Sequence, residues 1–181
     1  MGMEGAELNS WRIIQGDCLE KMRELPAESI DAIVTDPPYG LTGASRNGSP
    51  RNNDPSTPFR RTRLGERGFM GQVWDAKVPG PEIWAEALRA CKPGAHLAAF
   101  GGTRRFHRLM CAIEDAGWIL WDTALWLYGE GYPKAKNSLK PAWEPIVLGR
   151  KPMIGSLAAN LTEHGTGGLD IDGCRIATDD K

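Results

Sequence analysis

The sequence predicts an α/β layered sheet, and three observations carry that prediction. Apolar, β-branched runs of strand length alternate with segments whose apolar residues recur at helical spacing. The helix-to-strand links suit right-handed crossovers, which an alternating α/β chain uses to build a layered sheet. Three strand ends are punctuated by residues that suit a ligand: Gly16-Asp17, Asp36-Pro37-Pro38-Tyr39 and Phe100-Gly101-Gly102. In open sheets of this kind ligands bind at the carboxyl ends of strands.

Taken in order, Trp11 to Ile14 reads as a short strand. Cys18 to Leu25 reads as a helix with Cys18, Leu19, Met22 and Leu25 on one face, ended by Pro26. Ser29 to Thr35 is an apolar run that stops at Asp36, as expected of a central strand of a parallel sheet. Residues 41–68 are rich in Gly, Pro, Ser, Asn and Arg and read as a long loop. Order resumes at Phe69. Pro81 to Cys91 is a helix with Ile83, Trp84, Ala87, Leu88 and Cys91 on one stripe, broken by Lys92-Pro93-Gly94. His96 to Phe100 is the next buried strand. Thr103 is the expected N-cap of a helix running to Ala116, with Gly117 as its C-cap. Trp118 to Tyr128 supplies one or two strands and Glu144 to Leu148 another. The tail from Asn160 is glycine-rich and irregular.

Composition sets bounds on function. A chain of 181 residues is long enough for one compact domain with a real core. The formal net charge of -1 announces no nucleic-acid partner, so any basic surface must be local. Residues 41–68 hold Arg46, Arg51, Arg60, Arg61, Arg63 and Arg67 against Asp54 and Glu66, a net +4 that leaves -5 for the remainder. Such a segment is placed to meet DNA phosphates, or is a solvated insertion. Cys18, Cys91, Cys111 and Cys174 are far apart, which argues against a zinc site or a disulfide framework. His107 and His164 have no partner at ligand spacing, and no metal is expected. The start of the chain has no charged-then-apolar leader, and no apolar run reaches about 18 residues. A reduced, cytoplasmic protein without a membrane partner is expected. Trp118, Trp121 and Trp126 alternate mostly as core residues do, while Trp143 and Tyr132 fall in loops.

Asp36-Pro37-Pro38-Tyr39 is where chemistry concentrates. An ionised Asp36 at a strand end is an acceptor without a proton to give. Two prolines have no backbone N–H and a fixed φ, so the carbonyls around them are rigidly aimed acceptors. Tyr39 adds a flat ring. The set describes a pocket that accepts hydrogen bonds from an NH₂ group and stacks on a planar base. Acceptors aimed at the amine draw its lone pair out of ring conjugation and make the nitrogen nucleophilic. The strength of such a site is positioning and electrostatics. A Pro-Pro-aromatic turn is also common without any chemistry; its place after an apolar strand ending in Asp favours the pocket.

These residues resemble the signature of S-adenosylmethionine-dependent DNA amino-methyltransferases of adenine N6 or cytosine N4. The resemblance extends to Gly16-Asp17-Cys18-Leu19-Glu20, Leu25-Pro26, Ile30 to Thr35, Phe69-Met70-Gly71, Trp74-Asp75 and Lys92-Pro93-Gly94. It continues through Ala99 to Arg104, Trp126 to Gly129 and Lys140 to Leu148, and is similar to phage and bacterial members whose motif order is permuted. It implies a Rossmann-like methyltransferase sheet with helices on both faces. It implies Asp36, Pro37, Pro38 and Tyr39 as catalytic residues acting on a base flipped out of double-stranded DNA. Asp17, Cys18, Gly101 and Gly102 would bind the donor, with Asp17 accepting from its adenine amine. Asp17 also suits a helix N-cap, and Gly101-Gly102 also suits a plain strand-to-helix turn. Arg60, Arg61, Arg63, Arg104 and Arg105 would contact DNA. Residues 1–150 form the expected catalytic region, and 151–181 the start of a target-recognition or linker segment.

One departure stands out. Permuted members carry a glycine-rich donor motif of Phe-x-Gly-x-Gly character near the C-terminus, preceded by a Pro-Thr-x-Lys-Pro-like segment, and this chain contains neither. The sheet is therefore expected to be incomplete. A complementary chain or a second copy would then complete it, or the chain is a truncated pseudoenzyme that binds DNA or a partner. Related Asx-Pro-Pro-Tyr pockets methylate RNA guanine or a protein glutamine amide, but those enzymes usually place the donor motif first. Asp as the first motif residue favours adenine over cytosine, since many cytosine enzymes have Ser there.

Overall fold

The structure, a computed structural model, describes residues 11–40, 77–131 and 139–176. One mixed sheet organises them. Its strands are β1 (Ile30–Thr35), β2 (Cys91–Phe100), β3 (Ile119–Leu127) and β4 (Trp143–Arg150), in the order β1-β2-β4-β3. β1 and β2 run parallel, and β4 is antiparallel to both β2 and β3. The helices are α1 (Cys18–Arg23), α2 (Pro81–Ala90), α3 (Phe106–Asp115) and α4 (Leu157–His164).

The core follows from alternation along β2 and β4. Cys91, Ala95, Leu97 and Ala99 of β2 and Val147 of β4 point to one face. There they meet Trp84 and Ala87 of α2, Leu109, Ala112 and Ile113 of α3, and Trp118. Trp118 keeps its polar atom satisfied by donating from Nε1 to the Trp84 carbonyl at 2.9 Å. α2 starts with Pro81 in its first turn, where a missing N–H costs nothing. α1 is tied to α2 by Arg89, whose Nη2 donates to the carbonyls of Met22 and Leu25 at 3.0 and 2.9 Å. α3 ends at Asp115, with Ala116 rather than Gly117 at the C-cap position and Gly117 directly after it. Gly117 takes φ +99, its N–H bonds the Glu114 carbonyl, and the Trp118 N–H bonds the Ile113 carbonyl.

Several expectations are corrected. Trp11 to Ile14 is exposed and pairs with no strand among the described residues. β1 is an edge strand and not a central one; among the described residues it pairs with β2 alone. Val34, on its second face, is 77% exposed. α1 ends at Arg23, so Cys18 is exposed while Leu19, Met22 and Leu25 are partly buried. Lys92-Pro93-Gly94 ends the helix and also begins β2. Gly94 has φ +80, and the β1–β2 register slips between Ile30↔Cys91 and Ala32↔His96. Arg105, not Thr103, occupies the N-cap position of α3. Trp118 to Tyr128 holds one strand, within the one or two expected. Trp143 is the first residue of β4 and not a loop residue.

The second sheet face is half covered. His96, Ala98 and Phe100 of β2 and Ile146, Leu148 and Arg150 of β4 are all partly exposed there. Trp121 lies beneath the Arg150 guanidinium, 4.3 Å from ring centre to Cζ, and beside His96. Trp126 leans on Phe100, ring centres 6.1 Å apart. Both tryptophans are about half exposed, at 49% and 54%, and so do not belong to the core as their alternation suggested. Among the described residues no helix is long and apolar enough to cross a membrane.

Candidate active site

β1 delivers the tetrapeptide. The strand ends at Thr35, and Asp36 follows it, exposed at the carboxyl end. Pro37 is buried and Pro38 half-buried, so the turn is anchored by its rings while the carboxylate of Asp36 is exposed and lies beside the Tyr39 hydroxyl. Gly40 closes the turn with φ +62. A Cβ there would sit 3.0 Å from the backbone nitrogen of Val78, so the position needs glycine for its conformation and for its closeness.

The ring of Tyr39 is held from two directions. Behind it stands Gly102, where a Cβ would approach the ring Cδ2 to 3.2 Å. At its far end the hydroxyl donates to Glu144 Oε2 at 3.2 Å. Burial, and then the neighbouring carboxylates of Asp36 and Glu144, hold the phenol proton well above the ordinary tyrosine range. The hydroxyl of Tyr128 bonds the same Glu144, which raises its pKa too. Sequence reading assigned chemistry to Tyr39 through its ring; the hydroxyl is engaged as well, by a residue that reading did not single out. A glutamate in a strand 105 positions away carries no local signal of that bond.

The glycine pair is in close contact with protein. Gly101 donates its N–H to the Pro145 carbonyl at 2.9 Å and leaves room for Phe106 and Leu109, while Gly102 faces Tyr39. Asp17 caps α1: its Oδ1 accepts from the amides of Leu19 and Glu20 at 3.0 and 3.2 Å. Cys18 is the exposed first residue of the same helix. Arg104 is exposed and Arg105 half-buried in the turn that follows Gly102. A cavity of about 580 Å³ opens between that turn and Lys140 to Trp143. The Trp143 ring meets Phe106 edge-on, 6.3 Å between centres. Arg60, Arg61 and Arg63, with the rest of 41–68, and Tyr132 lie outside the described residues.

The structure thus gathers an exposed carboxylate, a rigid turn and an oriented ring at one strand end. The family profile N6_N4_Mtase, described as DNA methylase, matches residues 30–164, which include all of these. The chain belongs to this DNA methylase family. The methylase chain is similar to the type II methyltransferase M.HindIII of Haemophilus influenzae, 26% identical over 200 residues, 86% of this chain and 63% of that protein. It is also similar to the type II methyltransferase M.HinfI of Haemophilus influenzae, 59% identical over 121 residues, 63% of this chain and 30% of that protein. Among solved structures it is similar to the M1.HpyAVI-SAM complex, with 16% identity, a TM-score of 0.47, and 78% of this chain and 53% of that one covered. The DNA methylase chain spans less than two thirds of the length of each of these relatives.

Proposed function

We propose that this DNA methylase chain carries the catalytic part of an enzyme that moves a methyl group from S-adenosylmethionine to the exocyclic amine of a flipped adenine (N6) or cytosine (N4) in double-stranded DNA. The observation that carries the reading is Asp36, solvent-facing at the carboxyl end of β1, backed by the buried Pro37 and followed by the gripped ring of Tyr39. Asp36 and the backbone carbonyls of the prolines accept the amine's hydrogens and orient its lone pair. Tyr39 stacks on the base. The site fits a cationic co-substrate, since the carboxylate of Asp36 is exposed beside Tyr39. S-adenosylmethionine, when bound, supplies an electrophilic methyl on sulfur. Asp17 and Cys18 at the head of α1, with Gly101 and Gly102 at the end of β2, are the residues we assign to its binding. Arg104 and Arg105, beside the site, and Arg60, Arg61 and Arg63 are assigned to DNA phosphates. A cytoplasmic enzyme is consistent with chemistry on DNA.

A second reading has an observation of its own. The outer edge of β1 is unpaired among the described residues. An edge beside a reaction centre suits a complementary chain or a second copy, and without it the chain would bind DNA or a partner and transfer nothing.

The test is direct. The purified chain is incubated with tritiated S-adenosylmethionine and unmethylated genomic DNA, and the DNA is digested to nucleosides. N6-methyladenine or N4-methylcytosine is expected, and Asp36→Ala should lower its yield by about a hundredfold or more while sparing most DNA affinity. Label absent from both nucleosides decides for the second reading.

A further inference from the structure

Glu144 stands where three constraints on Tyr39 meet. It is the second residue of β4, paired across the ladder with Trp126 of β3, so the sheet fixes its backbone. Its carboxylate accepts the Tyr39 hydroxyl at 3.2 Å and also the hydroxyl of Tyr128. Tyr128 is itself tied to the approach of β4, since its N–H donates to the Ala142 carbonyl at 2.7 Å. The backbone of Tyr39 is stiffened by Pro37 and Pro38, and its ring face rests on Gly102. A phenol tethered at Cβ alone can still swing about χ1. One tethered at both ends cannot, and an ordered stacking surface spares the cost of ordering it when the base arrives.

We infer that Glu144 is a positioning residue: through the Tyr39 hydroxyl it holds the Tyr39 ring in the orientation that receives the flipped base. The inference rests on the methyltransferase reading for its consequence, though the clamp itself can be tested without it. Glu144 touches neither base nor donor in this account. It acts through Tyr39, and Tyr128 shares the same carboxylate.

The chain contains three tyrosines, so 3-fluorotyrosine labelling gives three ¹⁹F signals, assigned by Tyr39→Phe and Tyr128→Phe. In the unsubstituted chain the Tyr39 signal should titrate above free fluorotyrosine. Glu144→Gln should move that signal and bring its titration back towards the free value, with near-UV circular dichroism unchanged. In the transfer assay, Glu144→Gln should lower kcat about tenfold and leave KM for S-adenosylmethionine within about twofold. In a Tyr39→Phe background the same substitution should have no further effect, because the bond is already gone. Glu144→Asp should recover part of the loss. Should Glu144→Gln unfold the chain, Tyr39→Phe, which takes the hydroxyl away from Glu144 and from Asp36 alike, must show at least as large a kcat loss. An unmoved Tyr39 signal in Glu144→Gln, or losses that multiply in the double variant, would overturn the inference. If the unsubstituted chain transfers no methyl group, the methyltransferase reading fails and the ¹⁹F titration alone decides the clamp.

Discussion

Gly102 and Tyr39 compete for one space, and that sets the first expectation at the scale of residues. A Cβ at position 102 would lie 3.2 Å from the ring, so Gly102→Ala must push the ring by a few tenths of an ångström. We expect a stability loss of about 1 kcal/mol in urea unfolding, with methyl transfer falling about tenfold. Full transfer by that variant would show that the ring's position is not critical. Cys91 gives a second expectation. Burial pushes its thiol up to about 11, while Cys18, Cys111 and Cys174 are exposed. Ellman's reagent should therefore label three thiols in the native chain and the fourth after unfolding. A folded pKa above the unfolded one means that the native state holds this proton more tightly. Its contribution to stability is intact below the unfolded value of about 8.5 and is lost as pH rises through about 11. Rapid labelling of Cys91 at neutral pH would contradict this placement.

At the scale of elements, the docking of α4 depends on one buried amide. Asn160 is fully buried; its Nδ2 donates to the carbonyls of Pro93 and Thr166 at 2.9 and 2.8 Å, and its Oδ1 accepts from the Ile154 N–H at 3.0 Å. The amide holds α4 to the irregular start of β2, where Gly94 packs so closely that a Cβ would reach 2.6 Å from Nδ2. Asn160→Ala strands the Thr166 carbonyl and the Ile154 amide and leaves the Pro93 carbonyl to the Thr166 hydroxyl alone, and should cost about 3 kcal/mol in urea unfolding. A loss under about 1 kcal/mol would mean that water replaces the side chain. Gly94→Ala combines a left-handed φ of +80 with that clash and should be at least as damaging. None of this dock was legible beforehand. The tail from Asn160 reads as irregular because an asparagine satisfying distant carbonyls leaves no periodic trace. α2 and α3 were legible, because a stripe such as Trp84, Ala87 and Leu88 is written within the helix itself.

For the molecule as a whole, the edge of β1 that is open among the described residues and the half-covered sheet face belong together. Val34, Trp121 and Trp126 expose apolar surface where a layered sheet ordinarily carries a covering layer. Two results are expected from the chain by itself. Calorimetric titration with S-adenosylmethionine should show binding weaker than micromolar, and sedimentation velocity should show association that grows with concentration. Micromolar donor binding by a monomer would mean that the described pocket is already sufficient.

The chain's own order of residues determined the α/β class, the place of Asp36 to Tyr39 after a strand, the helices α2 and α3, and the glycine stop of α3. Each depends on propensity, periodicity or turn chemistry within a dozen residues. Tertiary structure decided that β1 is an edge among the described residues, that Trp121 and Trp126 face outward while Trp118 is core, and that Trp11 to Ile14 forms no strand. It also decided that Glu144 meets Tyr39. Those outcomes depend on which strand pairs with which, and in a sheet of order β1-β2-β4-β3 the deciding hydrogen bonds join residues tens of positions apart. A strand's own pattern shows that it can pair, while the neighbours it finds determine which of its faces is covered.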